Sequence, residues 1–131
     1  MISEKKYLDY ADVLICPKAS NVHSRSRVNL DTTIRFKNNK EWRGVPITAA
    51  NMDTTGTFEV YSVLSKYKML TALHKYYTKE DFRQLKSEGI ELNKEYFMLS
   101  TGIGENDIVK LEDIMTEVDV KWICVDIANG Y

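Results

Sequence analysis

The sequence predicts an α/β fold in which short parallel strands alternate with helices. Four apolar runs carry this prediction: one that begins at Val45, and those over residues 69–73, 96–100 and 121–127. Each run ends in polar residues, and segments with helical spacing separate the runs. Because the carboxyl ends of parallel strands meet at one edge of a sheet, we expect these polar residues to form one site.

The composition is that of an ordinary globular protein with a single domain over residues 1–131. Of the 131 residues, 44% are hydrophobic and 28% are charged, and the net charge is -1. This balance gives no electrostatic reason to expect a nucleic acid or a membrane surface as partner. No apolar run reaches the ~18 residues that span a bilayer, and no apolar signal-peptide segment follows residues 1–6. We therefore expect a cytoplasmic protein.

The two cysteines, Cys16 and Cys124, lack the CxxC spacing that is typical of metal and redox sites. Both adjoin apolar residues, so we expect buried, reduced thiols that serve packing. No metal site is expected.

Four strand-helix units make up about half of a closed barrel. A (β/α)8 barrel of the TIM type takes roughly 250 residues. The chain stops at Tyr131, directly after the polar end of its fourth run. We therefore interpret residues 45–131 as the first β/α units of a larger TIM barrel. Truncation, incomplete coverage of the protein and a split gene remain open as explanations.

Residues 1–44 precede these units as a separate N-terminal segment. Pro17 ends a short apolar run there, because proline cannot continue a hydrogen-bonded ladder. Loose alternation over residues 28–36, followed by Asn38-Asn39, predicts a β-hairpin with a turn at the asparagines. We expect this segment to close the amino-terminal mouth of the barrel or to pack beside it.

Three helices are predicted between the strands, beginning at Phe58, Thr78 and about Asn106. Thr78 and Asp81 have the spacing of a capping box, and Gly89 is a favoured residue just past a helix end. We expect these three helices to end at about Tyr67, Gly89 and Thr116, respectively. The expected apolar faces consist of Phe58, Tyr61, Val63 and Leu64, then Phe82 and Leu85, then Ile108, Leu111 and Met115.

The polar ends of the strands supply the candidate site residues. Lys75, at the end of a buried strand, can bind a phosphate, hold a carboxylate or transfer protons, and a surface lysine is the alternative. Asp126, two strands away, can accept ribose hydroxyls or pair with Lys75, and capping a helix is its alternative role. Asn51 and Asp53 are more typical of helix caps than of catalysis.

Two further segments are compatible with anion binding. Thr101-Gly-Ile-Gly104 is a glycine-bearing turn before a helix, although it lacks the full GxGxxG pattern. Ser24-Arg-Ser-Arg27 is basic and rich in hydroxyls, which suits a phosphate, and a solvated surface loop is the alternative. Asn129-Gly130 indicates a turn.

Several short motifs together resemble the IMP dehydrogenase/GMP reductase family, and GMP reductases in particular. They follow the family's order and approximate spacing over essentially the whole chain: Asp12-Val-Leu-Ile-Cys-Pro-Lys, Ser24-Arg-Ser, Gly44-Val-Pro-Ile, Ala49-Ala-Asn-Met-Asp-Thr, Gly56-Thr-Phe-Glu, Ala72-Leu-His-Lys and Ile123-Cys-Val-Asp-Ile-Ala-Asn-Gly-Tyr. His74-Lys75 and the short connector before the third strand favour the reductase over IMP dehydrogenase, which is the runner-up.

The resemblance implies a TIM barrel, usually a homotetramer, that converts GMP to IMP and ammonia with NADPH. In the family a cysteine thiolate attacks the purine and expels ammonia, and NADPH then delivers hydride. Lys75 would lie near the reacting centre and assist proton transfer to the departing ammonia, and Met52 would lie against the purine. Cofactor-binding roles fall by motif on Ser24, Arg25, Lys75, Asp126, Ile127 and Ala128.

The family's nucleophilic cysteine, its other acid-base residues and its phosphate site fall beyond the fourth strand. Neither Cys16 nor Cys124 matches the nucleophile, and a monovalent cation (K+) site would also lie outside the chain. We therefore expect the 131-residue chain to have no reductase activity by itself. A half-barrel that acts as a non-catalytic binding or interaction module is the alternative from another functional class.

Overall fold

Six strands and three α-helices lie along residues 7–129, the part of the chain that the computed structural model describes, and strand and helix alternate from the third strand onward. The expected absence of a signal peptide, at residues 1–6, and the second residue of the Asn129-Gly130 turn lie outside that part. The strands are Thr32–Arg35 (β1), Glu41–Gly44 (β2), Thr48–Ala49 (β3), Leu70–Leu73 (β4), Phe97–Thr101 (β5) and Ile123–Val125 (β6). The α-helices are Phe58–Leu64 (α1), Lys79–Ser87 (α2) and Glu105–Met115 (α3).

The last four strands form one parallel sheet with the order β3-β4-β5-β6. Chain order and spatial order are therefore the same, as in consecutive right-handed β/α units. This arrangement confirms the predicted parallel α/β architecture and places all four carboxyl ends at one edge of the sheet.

The first parallel strand is shorter than the sequence predicts. The Val45 amide donates to the Lys68 carbonyl, and the Ile47 amide donates back to the Val45 carbonyl. Pro46 between them has no amide hydrogen to give to a ladder. Regular pairing with β4 therefore begins only at Thr48.

The fourth parallel strand covers Ile123–Val125 and not the whole of residues 121–127. Lys121 turns its ammonium toward the Glu95 carboxylate, at 2.7 Å, before the strand begins. At the other end, the Asp126 amide still donates to the Thr101 carbonyl of β5 at 2.8 Å. The backbone of Asp126 is thus held against β5 although the residue lies past the strand.

The helix boundaries follow local chemistry. The predicted capping box of α2 is present, because Asp81 Oδ2 accepts from the Thr78 amide and hydroxyl at 2.6 and 2.8 Å. Gly89 follows α2 with a φ of 76°, a backbone conformation that favours glycine. The first helix changes to a 3-10 turn, Ser65–Tyr67, before Lys68 adopts a positive φ.

A core of apolar side chains fills the layer between the sheet and the helices. Its buried members are Tyr61, Leu73, Phe82, Phe97, Leu99, Leu111 and Ile114. The predicted face of α2 is confirmed. Val63, Ile108 and Met115 are exposed, so those assignments were wrong. On α3 the buried pair is Leu111 and Ile114, spaced three residues apart on the side that faces β5.

The N-terminal hairpin is confirmed, with β1 antiparallel to β2 and a positive φ at Asn39 in the turn. The indole Nε1 of buried Trp42 donates to the Glu95 carbonyl, just before β5, at 2.7 Å. The Phe36 ring lies 5.1 Å from that of Trp122, just before β6. The hairpin therefore packs against the amino-terminal side of the sheet, opposite the candidate site.

The expectation of two buried thiols is wrong for Cys16, which is exposed, whereas Cys124 is half-buried. Leu14 and Ile15, the apolar neighbours of Cys16, are 95% and 98% exposed. Their apolar run therefore contributes nothing to the core within residues 7–129. Over the same residues, no helix has the length and apolar character needed to cross a membrane.

Candidate functional site

The carboxyl-end rim of the parallel sheet, which we define by Met52, Lys75, Thr101 and Asp126, is the candidate site. Each of these residues lies at or just past the end of a different strand, in the order β3, β4, β5 and β6. Neighbouring strands are ~4.8 Å apart. The rim thus gathers residues that are up to 74 positions apart in the chain, from 52 to 126.

The loop after β3 carries an accessible methionine. The Met52 carbonyl accepts from the amides of Thr55 and Gly56, which fixes a tight turn, and the Met52 side chain is 59% exposed. The residue that caps α1 is Thr57, whose hydroxyl accepts from the Val60 amide at 3.2 Å. Asn51 and Asp53 therefore do not cap this helix, and the favoured sequence interpretation of these two residues was wrong.

Gly56 brings that loop into contact with β4. A Cβ at this position would lie 2.2 Å from the Ala72 carbonyl oxygen and 2.9 Å from that of Ala50. The Gly56 carbonyl accepts from the His74 amide at 2.9 Å. The close approach that only glycine permits thus joins the β3 and β4 ends of the rim.

An aromatic stack supports the Lys75 loop, which we define as residues 74–78 between β4 and α2. The Tyr77 ring stacks on His74 and on Phe58, with ring centroids 4.0 Å apart in both pairs. The Tyr77 hydroxyl oxygen accepts from the Phe58 amide at 3.1 Å. Lys75, between the stacked residues, has an exposed side chain, so its ammonium is available to a ligand at the rim.

Two groups near Lys75 have perturbed acidities. Burial raises the pKa of Tyr77, although the hydrogen bond from the Phe58 amide opposes this shift. At the start of α1, hydrogen bonds from the Glu59 amide and the Thr57 side chain, in that order of size, lower the pKa of Glu59. The site at neutral pH therefore holds a neutral phenol beside a helix start that bears a carboxylate.

Asp126 is held by its backbone and exposed through its side chain. Ile127 and Ala128, which follow it, are exposed as well. Within residues 7–129 Asp126 and Lys75 make no ion pair, so the pairing that the sequence suggested is absent. Both charged groups point to solvent from strands that are separated only by β5.

The glycine-bearing turn after β5 does not offer a free anion site. The Gly104 amide donates to Asp107 Oδ2 at 3.1 Å, and a Cβ on Gly102 would meet the same oxygen at 2.3 Å. A carboxylate from α3 itself therefore occupies the space where an anion would sit. The expectation of an anion at this helix start is not supported.

Ser24 caps an exposed 3-10 turn, Arg25–Arg27, in the N-terminal segment. The Ser24 and Ser26 hydroxyls lie 2.8 Å apart, and Ser24 Oγ also accepts from the Ser26 amide. Among the described residues, neither Ser24 nor Arg25 forms a hydrogen bond or an ion pair with Met52, Lys75 or Asp126. The sheet order places the rim residues at one edge, whereas no hydrogen bond or ion pair of the described residues joins this turn to them.

Sequence reasoning missed the residues behind the rim. Lys110 of α3 donates from its ammonium to the Lys75 carbonyl at 2.6 Å, and Tyr77 supports the same loop from below. The sequence around Lys110 does not reveal this hydrogen bond, because the acceptor is a backbone carbonyl 35 residues away in the chain. Over residues 7–129 there is no cluster of three or more histidine, cysteine or carboxylate side chains that could hold a metal ion.

The chain is similar over nearly its whole length to proteins named GMP reductase. It is 44% identical to GMP reductase 2 of Bos taurus over 126 residues, which are 95% of this chain and 36% of that protein. It is 42% identical to the GMP reductase of Tolumonas auensis over 132 residues, 99% of this chain and 38% of that protein. These matches confirm the resemblance that the motifs predicted, and the chain spans about a third of the length of these relatives.

A solved structure extends the likeness to the fold. The crystal structure of inosine 5′-monophosphate dehydrogenase from Legionella pneumophila matches with a TM-score of 0.64 and 28% identity, covering 91% of this chain and 35% of that one. No family model matches the chain.

Proposed function

Because the chain matches GMP reductases from end to end, we propose that it is the N-terminal portion of a TIM barrel that reduces GMP to IMP and ammonia with NADPH. The observation that carries the proposal is the 42–44% identity over 95–99% of the chain. The parallel order β3-β4-β5-β6 supports it, because it supplies four consecutive strands of an eight-stranded barrel.

The rim has groups that fit the two ligands. The exposed ammonium of Lys75 suits proton delivery to departing ammonia, and the exposed carboxylate of Asp126 suits the hydroxyls of a cofactor ribose. The thioether of Met52 is soft and accessible, which suits contact with a purine face. Bound NADPH would supply the hydride, and the nucleophilic cysteine would come from the part of the barrel outside this chain.

Roles for the remaining predicted residues follow the same proposal. Ile127 and Ala128 line the nicotinamide-ribose end beside Asp126. Ser24 and Arg25 contact the adenosine or phosphate groups of a cofactor, and a homotetramer would allow these groups to act on the site of a neighbouring copy. Any K+ site lies outside residues 1–131, and the enzyme works in the cytoplasm.

The test is a chimera in which this chain replaces the matching segment of the Tolumonas auensis protein. We expect GMP-dependent oxidation of NADPH by the chimera and none by the 131-residue chain alone. A chimera that purifies as a folded oligomer but has no such activity would contradict the proposal. So would turnover by the chain alone.

Lys75→Ala in the chimera tests the assignment of that residue. Loss of a positioned proton donor should lower kcat by about 10²–10⁴-fold, with little change in thermal stability because the side chain is exposed. Lys66→Ala is the control and should leave kcat unchanged, because Lys66 is exposed in the 3-10 turn that follows α1 and precedes β4. Unchanged turnover in Lys75→Ala would remove Lys75 from the mechanism.

IMP dehydrogenase is the second candidate, and the structural likeness to the Legionella enzyme favours it. The same chimera separates the two, because a dehydrogenase would reduce NAD with IMP as substrate. Absence of both activities in a folded chimera, together with nucleotide binding, would favour the non-catalytic binding module.

A further inference from the structure

A charged side chain ties the backbone of the Lys75 loop to α3. Lys110 Nζ, from the second turn of α3, donates to the Lys75 carbonyl oxygen at 2.6 Å. This carbonyl lies in a turn past the end of β4, where no strand ladder uses it. A hydrogen bond from an ammonium is stronger than one from a neutral donor.

Packing is incomplete at the same point. Lys75 and Lys110 line a cavity of about 20 Å³ between the sheet and α3, together with His74, Ser100, Thr101 and Asp107. His74 Nδ1 and Ser100 Oγ are buried there without a hydrogen-bond partner in the described part of the chain. The rest of the lining is apolar, because the Tyr77 ring of the loop packs there against the core residues of the sheet and helices. The backbone of Lys75 itself reaches α3 through the Lys110 ammonium.

The other supports of the loop come from a different direction. The His74 amide is held by Gly56, and the Tyr77 ring and hydroxyl are held by Phe58, so these contacts join the loop to α1 and its preceding turn. The Tyr77 amide also donates to the His74 carbonyl at 3.5 Å, which closes the turn that contains Lys75. Among the described residues, Lys110 is the side chain that bonds the Lys75 carbonyl to α3.

We propose that Lys110 is a positioning residue, whose ammonium holds the Lys75 carbonyl and thereby sets where the Lys75 ammonium enters the rim. The importance of that position for turnover rests on the proposed function. The contact itself does not depend on that function, and it can be measured in the chain alone.

Amide hydrogen exchange of the 131-residue chain tests the contact. Lys110→Met keeps the aliphatic stem, and we expect it to speed exchange of the His74 and Tyr77 amides ~10-fold, which equals ~1.4 kcal/mol of opening free energy. The Leu99 amide in β5, which donates to the Trp122 carbonyl, is the internal reference for global opening. Unchanged exchange at His74 and Tyr77 would overturn the proposal.

Lys79→Met is the matched control variant. Lys79 also reaches α3 from the segment after β4, through Asp113 at 2.7 Å, but it does not contact the Lys75 backbone. Its replacement should leave exchange of the two loop amides at the wild-type rate. An equal acceleration in both variants would mean that any loss of contact with α3 loosens the loop, and would also overturn the proposal.

Kinetics of the chimera separate positioning from a general structural role. We expect Lys110→Met to lower kcat ~10-fold while KM for GMP stays within about twofold, and Lys110→Arg to restore kcat because a guanidinium can donate to the same carbonyl. A fall in kcat that is accompanied by a comparable change in KM for GMP would overturn the proposal. So would a Lys110→Arg variant whose kcat stays as low as that of Lys110→Met. If Lys75→Ala leaves turnover intact, the role of Lys75 fails, whereas the exchange result still decides whether Lys110 holds the loop.

Discussion

At the scale of single residues, the site depends on close backbone approach. The sequence indicated Gly56 as a turn residue, but the reason for glycine appears only in three dimensions, where a Cβ would overlap the Ala72 carbonyl of β4. Lys75 and Asp126 were recognised because they end apolar runs. Lys110 and Tyr77 were not, because neither interrupts a pattern and both act through partners that are distant or backbone groups.

The raised pKa of Tyr77 predicts a pH dependence of stability on the alkaline side. The unfolded phenol ionises near pH 10, and burial raises the pKa in the folded chain. Below pH 10 both states are protonated and the full stability is present. As the pH rises from 10 through the folded pKa, only the unfolded chain loses its proton, so the free energy of unfolding falls.

Denaturant titrations between pH 8 and about pH 11 measure this effect against Tyr77→Phe. The phenylalanine variant lacks the phenol, so its stability should fall less steeply above pH 10. The variant should also be less stable at pH 8, because the Phe58 amide loses its acceptor. Parallel curves for the two proteins above pH 10 would show that burial of Tyr77 does not disfavour its ionised form.

At the scale of elements, the sequence predicted the strand-helix alternation well and its boundaries less well. The helix α2 was identified by its capping box and following glycine, which are local signals. The first and fourth parallel strands begin later than predicted, because Pro46 has no amide hydrogen for the ladder and regular pairing with β5 starts only at Ile123. The exposure of Val63, Ile108 and Met115 reflects which side of each helix meets the sheet, a matter of tertiary packing.

The hairpin is joined to the sheet mainly through Trp42, which is 2% exposed and bonds to the Glu95 carbonyl. Trp42→Ala should cost about 3–5 kcal/mol in the free energy of unfolding, because it leaves a large cavity. Trp42→Phe keeps most of the ring and removes the indole donor, and should cost about 1–2 kcal/mol. Denaturant unfolding of the two variants checks this order, and equal costs would show that the hydrogen bond, and not the packing, fastens the hairpin.

At the scale of the whole molecule, the parallel sheet brings four distant segments to one edge, and the hairpin covers the other side. The meeting of the four carboxyl ends at one edge was predictable, because strands that run parallel all end on the same side of a sheet. The exposure of Cys16 and of its apolar neighbours was not, since an apolar run does not by itself reveal whether the fold packs against it.

A crystal structure of the chimera with GMP and oxidised NADP tests most directly whether the rim binds both ligands. We expect the purine against Met52, the Lys75 ammonium within about 3 Å of a ligand polar atom, and the Asp126 carboxylate on the cofactor ribose. Ligands bound at another edge of the sheet, with Lys75 and Asp126 both in solvent, would contradict the proposed function.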